Sequence, residues 1–315
     1  MFVKIFDENH EDDLENSINL FIEDKDVIDI RFSVSTSVSG EEQIYCFSAL
    51  IMYDMNPKVT IITVCYNAVD LIENTLKSVL NQSYPNIEYI IIDGGSNDGT
   101  LEIIKRYESH IVKFISEPDK GIYDAMNKGI ALSSGEWINF MNAGDVFVND
   151  TVVENVFSHK IPQNVGLIYG NVLMNYLENE GIVKVLDNLK EGQVQFSLNH
   201  QSTFTNGDFL REVGYDISYK LAADANSFNE IYKRGLLFQY VPVTISCYEA
   251  VNGVSSKQLF QLHHEFSRIK GIGVSNLVWW RSYFKAVIMT VLMTFLPQSL
   301  YRKVMNKYVV KRVKH

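Results

Sequence analysis

The spacing of apolar residues changes character at Asn56. Before it, VKIF predicts a short strand, and DENHEDDLENSINLFIED sets Leu14, Ile18 and Phe21 on one face of a helix. VIDIRFSVSTSV and QIYCFSALIMYD read as two strands joined across SGEE. A βαββ unit over residues 1–56 lies near the lower size limit for independent folding. Beyond Asn56, VTIITVCY is a continuous β-branched run, as expected of a strand buried on both faces. A helix follows over Leu71 to Asn81, with Ile72, Leu76 and Val79 on one side. IEYIIID, VKFISE and EWINFMN are further strands, separated by the helical stretches TLEIIKRYES and GIYDAMNKGIALS. Strands alternating with helices of this length predict an α/β fold with a mostly parallel sheet and flanking helices. Past Asp150 the pattern loosens. VGLIYGNVLM and GIVKVLD read as strands of a hairpin through NYLENEG, and a helix is expected from Ala225 to Lys233.

In a parallel sheet of this kind, ligands bind beyond the carboxyl ends of the strands. The loops there are Cys65-Tyr66-Asn67, then Asp93-Gly94-Gly95-Ser96-Asn97-Asp98-Gly99-Thr100, then Glu117-Pro118-Asp119-Lys120-Gly121, then Asn142-Ala143-Gly144-Asp145. All are polar, and three of the four carry a carboxylate. Neither GxxxxGK[ST] nor GxGxxG occurs, so a glycine-lysine phosphate cradle is excluded. Acidic loops suit hydroxyl and imide donors, and a hard divalent cation on which a diphosphate can sit. The same residues have plainer readings. Glycine turns like Asp93 to Gly99 occur in proteins of every kind. Asp145 would serve as a helix cap, and a cap accounts for Asp98 or Asp150 as well as any functional role does.

These segments together carry a resemblance. VTIITVCYN, IEYIIIDGGSNDGT, SEPDKGIYDAMNKGIALSSGEWINFMNAGD and the later LAAD are similar in order and spacing to glycosyltransferase family 2, inverting enzymes with the GT-A fold. The resemblance covers about residues 58–256. It implies a base pocket lined by Thr63, Cys65, Tyr66 and Asn67, with Asp93 meeting the base and Ser96 and Asp98 in the same turn. Glu117, Asp119 and Lys120 would lie beside the nucleotide and donor sugar. Asn142 to Asp145 match the family's DxD-type motif, with Asp145 as metal ligand. Asn142 and Gly144 depart from it by standing where carboxylates are frequent. The resemblance further implies Asp224 as general base, at a helix start whose positive end favours its ionised form. His200, of the HQ pair with Gln201, would touch diphosphate, metal or acceptor. The cofactor implied is Mn²⁺ or Mg²⁺, the donor a UDP-sugar, and the acceptor a lipid-linked or free saccharide. Residues 1–56 separately resemble a family of small sporulation-associated proteins, chiefly through FDENHEDDLE and EQIYCFSALI, and no chemistry follows from that.

Charge sharpens this organisation. The chain of 315 residues has 38 acidic and 28 basic side chains, net −10, which argues against a general nucleic-acid binder. Residues 1–56 hold 13 acidic and 3 basic residues, while residues 271–315 hold 8 basic and no acidic ones. The expected parts are therefore a small α+β accessory module (1–56), a GT-A catalytic domain (57–270) and a basic amphipathic helical tail (271–315). Trp279, Trp280, Tyr283 and Phe284 beside lysines and arginines suit a helix lying on an anionic membrane surface. The other reading packs the tail on the catalytic domain or on a second subunit, as a homodimer. The longest apolar run, Ala286 to Leu296, is about half of the ~20 residues a spanning helix needs. Three cysteines cannot form a disulfide framework, and no signal peptide is visible, so the expected place is the cytoplasm, peripheral on the inner face of the cell membrane. A processive synthase is disfavoured because QxxRW is missing. A catalytically weak or silent sugar-nucleotide-binding scaffold is the alternative from another class.

Overall fold

The structure is a computed structural model that describes residues 2–22, 25–39, 42–175, 181–184, 186–187, 194–249, 258–272, 279–281, 283–284 and 287–288. The chain divides into two compact units, Met1–Lys58 and Val59–His315.

In the first unit, β1 (Phe2–Glu8), β2 (Lys25–Ser39) and β3 (Glu42–Met55) form an antiparallel sheet in the order β1-β3-β2. Helix α1 (Glu11–Ile22) lies on one face. Its Leu14 and Ile18 pack with Ala49 and Ile51 of β3, and Phe21 lies partly buried at the rim of this core. The acidic first turn, Glu11, Asp12 and Asp13, suits the positive end of the helix.

The second unit is built on a nine-stranded sheet. Its parallel half runs β6 (Lys113–Ser116), β5 (Ile87–Asp93), β4 (Val59–Cys65), β7 (Trp137–Phe140). Strand β4 is buried at every position. Its residues alternate between two cores: Val59, Ile61 and Cys65 face one, Ile62 and Val64 the other. That two-sided burial is why the strand reads as an unbroken apolar run. Helices α2 (Ile72–Leu80), α3 (Thr100–Lys105) and α5 (Val152–Phe157) cover the first core, and α4 (Ile122–Leu132) and α6 (Gly207–Val213) the second. Helix α3 is shorter than its sequence pattern. The chain leaves it at Arg106 and makes a 3-10 turn over Glu108–His110, while the Tyr107 hydroxyl donates to Glu73 on α2.

The other half of the sheet adds β11 (Thr203–Asn206), β9 (Val165–Asn175), β12 (Leu237–Glu249) and the two-residue β8 (Val146–Phe147). Strand β11 runs antiparallel to both β7 and β9. It inserts a late segment next to the parallel strands and so carries the residues just before it to the site. The expected hairpin partner of β9 is present as β10 (Gly181–Lys184), paired antiparallel; the connection at 176–180 is outside the described residues. Helices α7 (Ala223–Lys233) and α8 (Leu259–Ile269) complete the unit. Much of the basic tail, from residue 289 on, also lies outside the described residues.

A close approach sets the α4 position: a Cβ on Gly129 would come within 2.6 Å of Ile62 Cγ2. Gly129→Val is therefore expected to lower the unfolding free energy by about 1–3 kcal/mol through overpacking. The urea midpoint measures it, and an unmoved midpoint would mean that α4 is free to step away from the sheet.

Candidate active site

The turn after β5 is held by Asp93, whose side chain is fully buried. Its Oδ2 accepts from Gly95 N at 3.0 Å, Ser96 N at 2.9 Å and Ser116 Oγ at 2.7 Å. Its Oδ1 accepts from the Ser96 hydroxyl and, weakly, from Cys65 Sγ at 3.5 Å. Burial alone would raise the Asp93 pKa; the donors from Ser96, Ser116 and Gly95 outweigh it and hold the carboxyl below its usual range. Beside it, burial and then the Asp93 charge push the Cys65 thiol up, so that it stays a neutral S–H. Asp93 thus braces the turn through the N–H groups of Gly95 and Ser96 and the Ser96 hydroxyl.

The same network ties the β4 loop to the β5 loop. Asn67 takes a left-handed backbone (φ 47°), its N–H donates to Ser96 Oγ at 2.7 Å, and its Oδ1 accepts from Asn97 N at 3.0 Å. Asp98 accepts from Val69 N at 3.0 Å and from the Thr100 hydroxyl and N–H at 2.6 and 3.0 Å. The Thr100 hydroxyl, with these two N–H groups, lowers the Asp98 pKa. Thr63 is fully buried and donates to Met141 O at 2.7 Å, so its side chain belongs to the core between strands.

What these braces leave open is an edge beside Tyr66 and Gly94. Tyr66 is 64% exposed. A Cβ on Gly94 would lie 2.6 Å from Asp119 Oδ2 and 3.3 Å from Tyr66 Cδ2, so the bare glycine brings carboxylate, ring and turn together. Asp119 Oδ1 accepts from Gly121 N at 2.8 Å, which fixes it. Lys120 is exposed nearby. Glu117 is paired instead with Lys128 at 2.8 Å.

The second group of residues meets on one imidazole. His200 lies in a 3-10 turn, His200–Ser202, just before β11. Its Nδ1 is 3.4 Å from Asp224 Oδ2, its Nε2 is 3.7 Å from Asp145 Oδ2, and Nε2 is 2.9 Å from Asn142 Nδ2. Burial would hold the ring neutral, but the two carboxylates outweigh it and raise its pKa to about 9. Asn142 Oδ1 is buried and has no hydrogen-bond partner. Rotating that amide by 180° lets Oδ1 accept from Nε2–H, and satisfies both groups. The turn Asn142–Asp145 is fixed by Thr75, whose hydroxyl donates to Asp145 O at 2.8 Å and accepts from Gly144 N at 3.0 Å. Strand β8, not a helix, follows directly on Asp145, and the cap position of α5 is Thr151, so the Asp145 carboxylate caps no helix.

Asp224 stands in the first turn of α7 rather than before it, with Ala222 in the cap position. The cap that α7 lacks locally is supplied from α8. Buried Glu265 accepts from Lys220 N at 2.9 Å, Leu221 N at 2.9 Å and Ala222 N at 3.0 Å. Sequence reasoning missed Glu265, Thr75 and Tyr123. Glu265 sits in a polar stretch, QLHHEFSRIK, that shows no signal of an inward carboxylate. His263 and His264 of that stretch were expected at the surface. His264 is exposed, while His263 packs edge-on against Trp279 and Tyr283. Of the loop Tyr248 to Ser256, only Tyr248 and the backbone of Glu249 fall within the described residues.

Among the described residues no group of three or more His, Cys, Asp or Glu stands ready to hold a metal ion. Asp145 and His200 offer one oxygen and one nitrogen close together, and the orphaned Asn142 oxygen lies beside them. That set fits a divalent ion whose other ligands come from a bound diphosphate.

Comparison with known proteins gives two family matches. Residues 60–221 match the model of Glycosyl transferase family 2, and residues 1–55 that of Sporulation protein Cse60. An uncharacterized glycosyltransferase of Mycobacterium tuberculosis is 34% identical over 205 residues, 61% of this chain and 73% of that one. A PGL/p-HBAD biosynthesis glycosyltransferase of Mycobacterium bovis is 27% identical over 207 residues, 64% and 80% of the two chains. Among solved structures, the mannosyltransferase PcManGT from Pyrobaculum calidifontis, in complex with GDP-Man and Mn²⁺, aligns with a TM-score of 0.57 at 15% identity over 81% of this chain and 80% of that one. S. aureus TarS 1-349 in complex with UDP-GlcNAc aligns with a TM-score of 0.53 at 14% identity over 76% and 73%. Against the longer TarS chain the match spans 39% of its length. These likenesses show the GT-A fold.

Glu265→Ala would take the acceptor from three backbone N–H groups, that of Ala222 buried and those of Lys220 and Leu221 partly so. It is expected to destabilise the protein by roughly 1–3 kcal/mol or more. Thermal or urea unfolding measures the loss, and wild-type stability would mean that the α7 cap is dispensable.

Proposed function

Because the chain belongs to glycosyltransferase family 2, we propose that it is an inverting transferase. It moves a hexose or N-acetylhexosamine from a UDP-sugar to a saccharide acceptor, lipid-linked or free, in bacterial polysaccharide biosynthesis. The observation that carries this reading is the meeting of Asp145 and Asp224, 79 positions apart in sequence, on the single imidazole of His200. One carboxylate stands on the strand-end motif where a diphosphate is expected; the other stands at a helix start, across the ring. A scaffold protein would have no use for the pair.

The residues divide the work as follows. Tyr66, Gly94 and Asp119 form the cleft for the nucleoside, with Cys65, Asn67, Ser96 and Asp98 holding its walls and Lys120 at its rim. Asp93 acts from behind by fixing the turn. Asp145 and His200 hold Mn²⁺ or Mg²⁺, with Asn142 beside them and Gly144 shaping the turn. The ion neutralises charge on the leaving diphosphate. Asp224 takes the proton of the acceptor hydroxyl as that oxygen attacks from the opposite face of the sugar. The nucleotide in the TarS complex is a uridine one, and that in PcManGT a guanosine one. A carboxylate beside the Tyr66 ring, suited to an imide N–H, favours uracil.

The proposal keeps residues 57–270 as the catalytic domain, 271–315 as a peripheral membrane anchor and 1–56 as an accessory module. No described helix is long and apolar enough to cross a membrane. Trp280, Phe284 and Ile288 are 43%, 57% and 58% exposed, as an interfacial helix requires.

Two measurements test this reading. Asp224→Asn is expected to keep UDP affinity and to lose about 10²–10⁴-fold in metal-dependent UDP release from a panel of UDP-sugars; a wild-type rate would remove Asp224 as the base. Deletion of residues 271–315 is expected to abolish co-sedimentation with anionic liposomes, since each basic residue at such a surface contributes roughly 1 kcal/mol. Unchanged sedimentation would rule out the anchor.

A further inference from the structure

A carboxylate base has two oxygens, and their surroundings decide which one can take a proton. In Asp224 they are sharply different. Oδ1 accepts from Ala225 N at 2.8 Å and from the Tyr123 hydroxyl at 3.2 Å. Among the described residues, Oδ2 faces only His200 Nδ1, at 3.4 Å. Both acceptor directions of Oδ1 are therefore occupied, and Oδ2 keeps one free.

Tyr123 is well placed to impose this. It lies in the first turn of α4, 101 positions from Asp224, and is buried. Its ring packs on Tyr215 with centroids 5.5 Å apart. Tyr215 is itself clamped to α4, since Asn127 Oδ1 accepts from Tyr215 N at 2.7 Å and Asn127 Nδ2 donates to Tyr215 O at 2.8 Å. One helix thus fixes both the ring and its neighbour. Burial, and then the Asp224 charge, keep the phenol protonated, so it acts as a donor. The backbone N–H of Ala225 would hold Oδ1 alone only loosely, because an i to i+1 contact leaves the carboxylate free to swing about its last side-chain torsion.

We propose that Tyr123 is a positioning residue for the transfer: its hydroxyl pins Oδ1 of Asp224 and leaves Oδ2 to receive the acceptor's proton. This rests on the reading of Asp224 as the base. In the step itself, the acceptor oxygen forms a bond to the anomeric carbon while the bond from that carbon to the diphosphate oxygen breaks. The electron pair leaves with the nucleoside diphosphate, and the hydroxyl proton passes to Oδ2.

The test is a double-mutant cycle on the full chain, read as UDP release from UDP-glucose and UDP-GlcNAc with Mn²⁺, with UDP affinity measured by calorimetry. Tyr123→Phe keeps the ring and removes only the hydroxyl. It should lower kcat about 10- to 100-fold, the range of one hydrogen bond to a charged group. The donor KM and the UDP affinity should stay within about twofold, which also reports a folded site. In the Asp224→Asn background the same change should cost nothing further. A wild-type kcat for Tyr123→Phe, or an equal loss in both backgrounds, overturns the inference while leaving Asp224 as the base. A wild-type rate for Asp224→Asn alone overturns the base reading, and this inference with it.

Discussion

Strands β4 and β5 are buried on both faces, and this constraint shapes everything around them. Inside such a sheet a polar side chain must find a partner or leave. Thr63 finds Met141 O, and Glu88 accepts from Thr60 at 2.6 Å and from Ser134 N at 2.7 Å. The remaining polar residues collect where the strands end. Asp93 at the end of β5 is the clearest case, because its burial is tolerable only with the donors that the following turn aims at it. The carboxylate and the turn therefore specify each other, and the cleft at Tyr66 and Asp119 is what that mutual fit leaves open.

The same economy governs the other side. Two carboxylates near one another would repel, and a buried imidazole would resist charging. Placed with His200 between them, Asp145 and Asp224 stabilise the ring's charge and it relieves their repulsion. The cluster is stable as a whole, and each member would be costly alone. In the proposed transfer Asp145 and His200 would hold the ion, which would supply positive charge for the leaving diphosphate, while Nδ1 of the ring faces Asp224. The ring would then link the leaving-group side to the acceptor side through one rigid plane, in the way that outer carboxylates orient metal-bound histidines.

How much of this the sequence discloses depends on distance along the chain. The parallel half was legible, because β-branched runs and helical spacing are local signals, and the strand-end loops follow from them. Asp145 was legible as a strand-end carboxylate; its contact with His200, 55 positions later, was not, since β11 enters the sheet antiparallel and no periodicity marks that insertion. Glu265 illustrates the limit. Its three acceptor contacts reach back more than 40 positions to a loop, and in sequence it is one more charged residue in an amphipathic helix. The bracing of Asp93 was hidden for a related reason. Its residue type suits a base-binding acceptor, but only the folded turn reveals the Gly95, Ser96 and Ser116 donors aimed at it.

The departure of Asn142 and Gly144 from an all-carboxylate motif then acquires a physical account. Gly144 has φ 101°, a left-handed backbone that disfavours any residue with a Cβ, and its N–H meets Thr75. A carboxylate there would strain the turn that presents Asp145. Asn142 lies at hydrogen-bonding distance from His200 Nε2. A third carboxylate at that place would bind the imidazolium more tightly and make its proton harder to displace. A neutral amide leaves the ring balanced between two charges. In the proposed site the shortage of carboxylates in the motif thus goes together with a histidine from the second half of the chain, and both halves of the sheet supply its residues.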